Sequence, residues 1–117
     1  TCNDNEEVED PLLASFLANL VVETINAKLL EYKHAVRNLR SAKNLNFTCA
    51  NLELIKVLYL RQKSELSDVE YVVALETYPS GAQFEATVVA ETNEMLVDNA
   101  VSRLNHYNNE SHCAIFP

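Results

Sequence analysis

An α+β fold is what this sequence predicts: one N-terminal helix packed on a four-stranded antiparallel sheet, plus a C-terminal helix and a short terminal strand. Three observations predict it. A capped, almost wholly apolar run, Pro11-Leu12-Leu13-Ala14-Ser15-Phe16-Leu17-Ala18-Asn19-Leu20-Val21-Val22, opens the folded part of the chain. Two stretches of strict apolar–polar alternation flank Tyr78-Pro79-Ser80-Gly81. After Asn93 a run with a single apolar stripe returns to helical spacing.

The totals bound the answer. A chain of 117 residues and 13.2 kDa holds one domain with one core. Hydrophobic content of 48% with 22% charged residues is ordinary globular composition, so a packed domain is expected. A single Gly and three Pro leave few sharp turns and favour long regular elements. The organisation reads as an acidic lead-in over 1–10, a principal domain over 11–92, and a C-terminal helix and strand over 93–117.

Taken in order, Thr1 to Glu9 is polar and acidic. It carries no initiator Met and no signal sequence, which reads as a processed start. Asp10 is a good N-cap, and Pro11 stands at the first helical position, where its missing N–H costs nothing. Ser15, Asn19, Glu23 and Asn26 draw a narrow polar stripe on a helix otherwise apolar from Leu12 to Val22, so it is expected to be covered on two sides, with another subunit as one candidate for the second cover. Leu30 to Lys43 fits a helix by periodicity, with Tyr32, Val36 and Leu39 inward and Lys33, Arg37 and Arg40 as a basic stripe.

Leu52, Leu54, Leu58 and Leu60 alternate with Ile55, Val57 and Tyr59, predicting a strand buried on both faces. Val69, Tyr71, Val73 and Leu75 then alternate with Glu70, Ala74 and Glu76, and Phe84, Ala86, Val88 and Ala90 with Glu85, Thr87 and Glu91. The Pro and Gly between them suit a type I turn, so this is an antiparallel hairpin. Asn93 caps the expected C-terminal helix, whose stripe is Val97, Ala100, Val101, Leu104 and Tyr107, and Cys113-Ala114-Ile115-Phe116-Pro117 has strand character.

A partial internal repeat modifies the reading. At an offset of 79, Leu17 falls on Leu96, Val21 on Ala100, Val22 on Val101, Ile25 on Leu104 and Asn26 on Asn105, continuing with Glu31 on Glu110 and Val36 on Ile115. The second copy breaks at Asn108-Asn109. By analogy the first is expected to break near Lys28 to Leu30, giving a helix followed by a strand from about Tyr32.

Charge is segregated. Residues 1–10 hold five acids and no base, residues 28–63 carry eight bases against Glu31 and Glu53, and Glu65 to Asp98 hold eight acids and no base. The basic strand is therefore expected to lie beside the acidic hairpin. A net charge of −8 argues against nucleic-acid and anionic-membrane partners. Glu23 and Asn26 interrupt the longest apolar run, so no membrane span is expected.

Two sequons, Asn46-Phe47-Thr48 and Asn109-Glu110-Ser111, make Asn46 and Asn109 glycosylation candidates and point to a secreted, extracellular protein. Cys2, Cys49 and Cys113 are an odd set: one bridge and a lone thiol, or a bridge to another chain. For a secreted protein an intermolecular disulfide is the favoured expectation. His34, His106 and His112 lack ligand spacing, and Cys49 has no context that would make it a nucleophile toward His34. No metal, cofactor or catalytic set is expected.

The order of elements resembles the cystatin-like superfamily. Val22 to Ile25 with Asn26, Tyr32, Val36-Arg37 and Ser41-Ala42-Lys43 resemble its helix and first long strand, and Phe84-Glu85-Ala86-Thr87-Val88-Val89 resembles the strand leading to its second inhibitory loop. The resemblance spans Leu12 to Thr92 and is a matter of pattern, without a diagnostic motif. Members that inhibit papain-like proteases carry a Gln-x-Val-x-Gly loop after the first long strand; Asn44-Leu45-Asn46-Phe47-Thr48-Cys49 is expected there instead. Thr92-Asn93 replace the Pro-Trp loop. The chain therefore looks like the non-inhibitory fetuin-, kininogen- and latexin-like members.

The resemblance implies a secreted, non-catalytic glycoprotein module that binds or assembles with protein as a homo- or hetero-oligomer. The alternative is a carrier or storage subunit holding an apolar small molecule between helix and sheet. Less favoured is a cysteine protease inhibitor with altered loops.

Overall fold

A computed structural model describes residues 6–36, 51–65, 68–78, 81–91, 94–97 and 101–105. Its elements are β1 (Glu6–Glu7), α1 (Pro11–Val36), β2 (Glu53–Glu65), β3 (Asp68–Tyr78), β4 (Gln83–Glu91), β5 (Glu94–Val97) and β6 (Ser102–Arg103). The expected helix on a four-stranded antiparallel sheet is present as α1 on β2 to β5. Sheet order is β1-β2-β3-β4-β5, every pair antiparallel, with α1 inserted between β1 and β2 and with β6 also pairing β4.

Local chemistry starts the helix. The Asp10 carboxylate accepts from the Leu13 N–H at 3.2 Å and the Asp10 carbonyl accepts from Ala14 N–H at 2.9 Å, an N-cap ahead of Pro11. Twenty-six residues make a rod of about 39 Å at 1.5 Å per residue. The strand expected from about Tyr32 does not start there, because α1 runs on to Val36; the remainder of that stretch, 37–43, lies outside the described residues. No Gly or Pro lies between Pro11 and Pro79 to stop it, so i→i−4 bonding propagates through the proposed break. Helical periodicity was the better guide there than the internal echo.

One stripe of α1, Leu17, Ala18, Val21, Val22, Ile25 and Leu29, packs against Leu52, Leu60, Val73, Leu75, Phe84, Ala86, Val88 and Val101. Asn26 joins helix to sheet: its amide donates to the Leu52 carbonyl at 3.0 Å and accepts from the Leu52 N–H at 2.7 Å, imitating one rung of a ladder. That pairing holds the backbone beside Asn51, which adopts φ 60°, in place at the entrance to β2.

Strand β2 is not buried on both faces as expected. Register shifts between Leu54 and Lys56 and between Val57 and Tyr59 mark two bulges, leaving Ile55 48% exposed and Leu58 half-buried. Each bulge swaps which residues face the core. Together they direct Leu54, Val57 and Leu60 inward and keep Lys56 on the outer face. Lys56 then stands opposite Glu76 and Lys63 opposite Glu70, the expected basic-beside-acidic arrangement.

The hairpin forms as the alternation requires, with Leu75 opposite Phe84 and Val73 opposite Ala86. Thr77 N–H donates to the Ala82 carbonyl and Gly81 N–H to the Thr77 carbonyl, both at 2.9 Å. Gly81 takes φ 78°, which a side chain would penalise.

Among the described residues of 93–117 there is no helix, and the expected terminal strand at Cys113 to Pro117 lies outside them. Residues 94–97 form β5 against β4, and Ser102–Arg103 pair with Phe84 and Glu85. Val97 and Val101, placed on a helical stripe by their spacing, instead join the core from β5 and from the residue before β6. The exposed ladder groups of β4 take up this segment, a nonlocal demand that outweighs its local spacing. Asn105 repeats the device of Asn26, accepting from Gln83 N–H at 2.9 Å and donating to the Gly81 carbonyl at 3.1 Å. The echo thus aligned two asparagines with like roles while misjudging the elements that carry them.

Candidate functional site: a cleft beside the β2 edge and the outer faces

The surface features follow from how α1 and β2 are set. Leu12, Phe16, Asn19, Glu23 and Leu30 fall on one stripe of α1, opposite the stripe packed on the sheet. Leu12 is 84% exposed, Phe16 53% and Leu30 52%. The sheet covers one side of the helix, and these apolar residues at both ends of its outer stripe have no cover among the described residues.

Pro11–Glu31 is long and apolar enough to cross a membrane by length and composition, with a mean hydropathy of 1.3 and a third of the stretch buried. This is the apolar run that Glu23 and Asn26 interrupt. In this fold its inner stripe lies on the sheet and Asn26 is bonded to Leu52.

On the outer face of the sheet, β2 and β4 reach toward each other across β3. Tyr59 is opposite Ala74, which is opposite Glu85, and the Tyr59 hydroxyl donates to the Glu85 carboxylate Oε2. The Arg61 guanidinium lies over the Tyr59 ring, 4.3 Å from its centre. Burial, then the hydrogen bond to Glu85 and the charge of that carboxylate, push the Tyr59 phenol up to about 12, against the opposing pull of Arg61. A tyrosine so held stays protonated at neutral pH and donates to Glu85.

The cleft lies where β1 ends. Val8 N–H still donates to the Leu60 carbonyl at 2.8 Å, after which the chain turns away to cap α1. Between the departing chain and β2 opens a cleft of about 490 Å³. Val8, Pro11, Ala14 and residues 57–60 give it an apolar wall and floor, while Glu7, Glu9 and Asp10 supply carboxylates, with no base among the lining residues. Among the described residues no strand lies alongside β2 from Glu53 to Tyr59 on this side.

Asn46, Asn109, Cys2, Cys49 and Cys113 lie outside the described residues, as do His106 and His112. His34 is in the last turns of α1. Among the described residues no group of three His, Cys, Asp or Glu side chains is placed to hold a metal ion.

The Tyr59–Glu85 pair and the cleft were not anticipated. Alternation of Tyr59 with Arg61 is a visible sign that both share a face, but the bulges that determine which face leave no local signature. Comparison with protein-family models, with curated proteins and with solved structures gives no match to this chain.

Proposed function

We propose that the chain is a secreted, non-catalytic module of cystatin-like fold that binds protein and assembles with it. One observation carries the assembly: on α1 the inner stripe is filled by the sheet, yet Leu12 and Phe16, one turn apart on the outer stripe, remain 84% and 53% exposed. Large apolar groups gathered at one place on a helix gain free energy when a second surface covers them. Gel filtration with light scattering and non-reducing electrophoresis of the natively purified protein test this. A multimer or a mixed disulfide through Cys2, Cys49 or Cys113 is expected; a clean monomer with every thiol free or paired internally overturns it. Mass spectrometry of the same material reads glycan occupancy at Asn46 and Asn109.

The order of a helix between a short first strand and four sequential antiparallel strands supports the cystatin-like reading. It also relocates the comparison with inhibitory members. Asn44 to Cys49, compared above with Gln-x-Val-x-Gly, lies outside the described residues, and the turn after the first long strand, β2, follows Gln62-Lys63-Ser64-Glu65, without its Val and Gly. Thr92-Asn93 connect β4 to β5, without Pro or Trp. These departures favour a module that leaves papain-like proteases untouched, and inhibition of papain at nanomolar concentration would overturn that part.

A further inference from the structure

We infer that the cleft between the β1–α1 turn and the bulged edge of β2 receives a short extended segment of a partner protein, bearing arginine or lysine, which adds to that edge. The inference rests on the reading of the chain as a protein-binding module, but not on self-association through the helix.

The edge already accepts such a strand. Glu6 and Glu7 pair with Gln62 and Arg61, Val8 adds one more bond to Leu60, and pairing stops there because Asp10 turns the chain into α1. Beyond that point the edge of Glu53 to Tyr59 that faces away from β3 has no strand beside it among the described residues, the condition under which an added strand gains main-chain bonds. Bulges at Ile55 and Leu58 limit a regular ladder, so about four residues of the guest are engaged.

Side chains of an added strand alternate between faces. Those turned inward meet Val8, Ala14 and Leu60, an apolar surface; those turned outward meet Glu7, which lies opposite Arg61, and the exposed Glu9. An aliphatic–basic alternation is the pattern that fits both. The N-terminus of α1, with roughly half a unit of positive charge, and Arg61 opposite Glu7 oppose a cation, whereas Glu7, Glu9 and Asp10 supply three negative charges, so the balance still favours the cation. Acidic peptides and nucleic acid are excluded by the same carboxylates.

The probe is a fluorescein-labelled, acetylated and amidated peptide, Leu-Arg-Leu-Arg-Leu, titrated into the intact protein and followed by anisotropy, with amide shifts mapped by NMR. Saturable binding is expected, with shifts at Val8 and residues 57–60. Glu7→Gln with Glu9→Gln should weaken Kd about tenfold or more. Glu70→Gln with Glu91→Gln, the same charge change on the outer face of the sheet, should leave it within about twofold. Equal losses in both double variants, shifts confined to β4, β5 or α1, or no binding at all would overturn the inference. Octylamine, a cation with an apolar tail and no backbone, should fail to displace the peptide at equal concentration; displacement would assign the cleft to small amphiphiles instead. A multimer that ignores the peptide sinks this inference alone, whereas a monomer that binds it sinks the assembly and leaves the cleft assignment standing.

Discussion

On β3 and β4 the inward positions Val73, Leu75, Phe84, Ala86 and Val88 are each at most 2% exposed, whereas outward positions mix Glu70, Glu76, Gln83, Glu85 and Thr87 with Val72, Ala74 and Val89. The inner face is held by area removed from water, which is insensitive to direction but demands filled volume. The outer face depends on pairs whose geometry matters. Ala74 shows the difference: it is on the outer face and yet 0% exposed, because the bond from Tyr59 to Glu85 passes across it. A small residue there is what permits the two strands flanking β3 to reach each other.

That contrast can be broken from the inside first. Phe84→Ala, which removes the largest fully buried side chain, should cost about 4 kcal/mol in denaturant unfolding. Asn26→Ala should cost about 2 kcal/mol, since it strands both the N–H and the carbonyl of Leu52 without removing apolar area; a near-zero effect would mean water replaces the amide.

Ala74→Leu tests the outer face by adding volume beneath the Tyr59–Glu85 bond, and should cost about 1.5 kcal/mol and return the Tyr59 phenol toward its ordinary value near 10. Tyr59→Phe should cost about 1 kcal/mol and remove one late-titrating phenol from the ultraviolet titration. The sign follows from a folded-state value of about 12 against 10 unfolded: the folded state holds the proton more tightly, so the contribution is complete below pH 10 and is lost as pH rises toward 12. Leu12→Ser should change monomer stability by less than about 0.5 kcal/mol while weakening self-association, read by light scattering.

Much of this architecture is legible in the chain. Asp10-Pro11 marks the start of α1, the alternation from Val69 to Glu91 marks the hairpin, and the opposed charges of Lys56 and Lys63 against Glu76 and Glu70 mark the neighbouring strand. Three features escaped it. Val97 and Val101 fit a helical stripe and a strand equally well over so few residues. Tyr32 to Val36 had a strand assigned by an echo that aligned apolar residues without regard to period. The cleft arises where β1 leaves a bulged strand, and neither event has a residue signature.

By itself the sequence determined what is local: the helix and its cap, the hairpin and its Gly81, and which residues are apolar enough to be inside. Those outcomes depend on backbone propensity and on side-chain spacing within one element. Tertiary structure alone decided where α1 is tied to Leu52, which way β2 faces between its two bulges, and that Glu94–Val97 and Ser102–Arg103 run as strand. Each of these is fixed by backbone groups needing partners from a distant segment, such as Asn26 reaching Leu52 and Asn105 reaching Gln83, and a requirement of that kind is met only when both ends are in place.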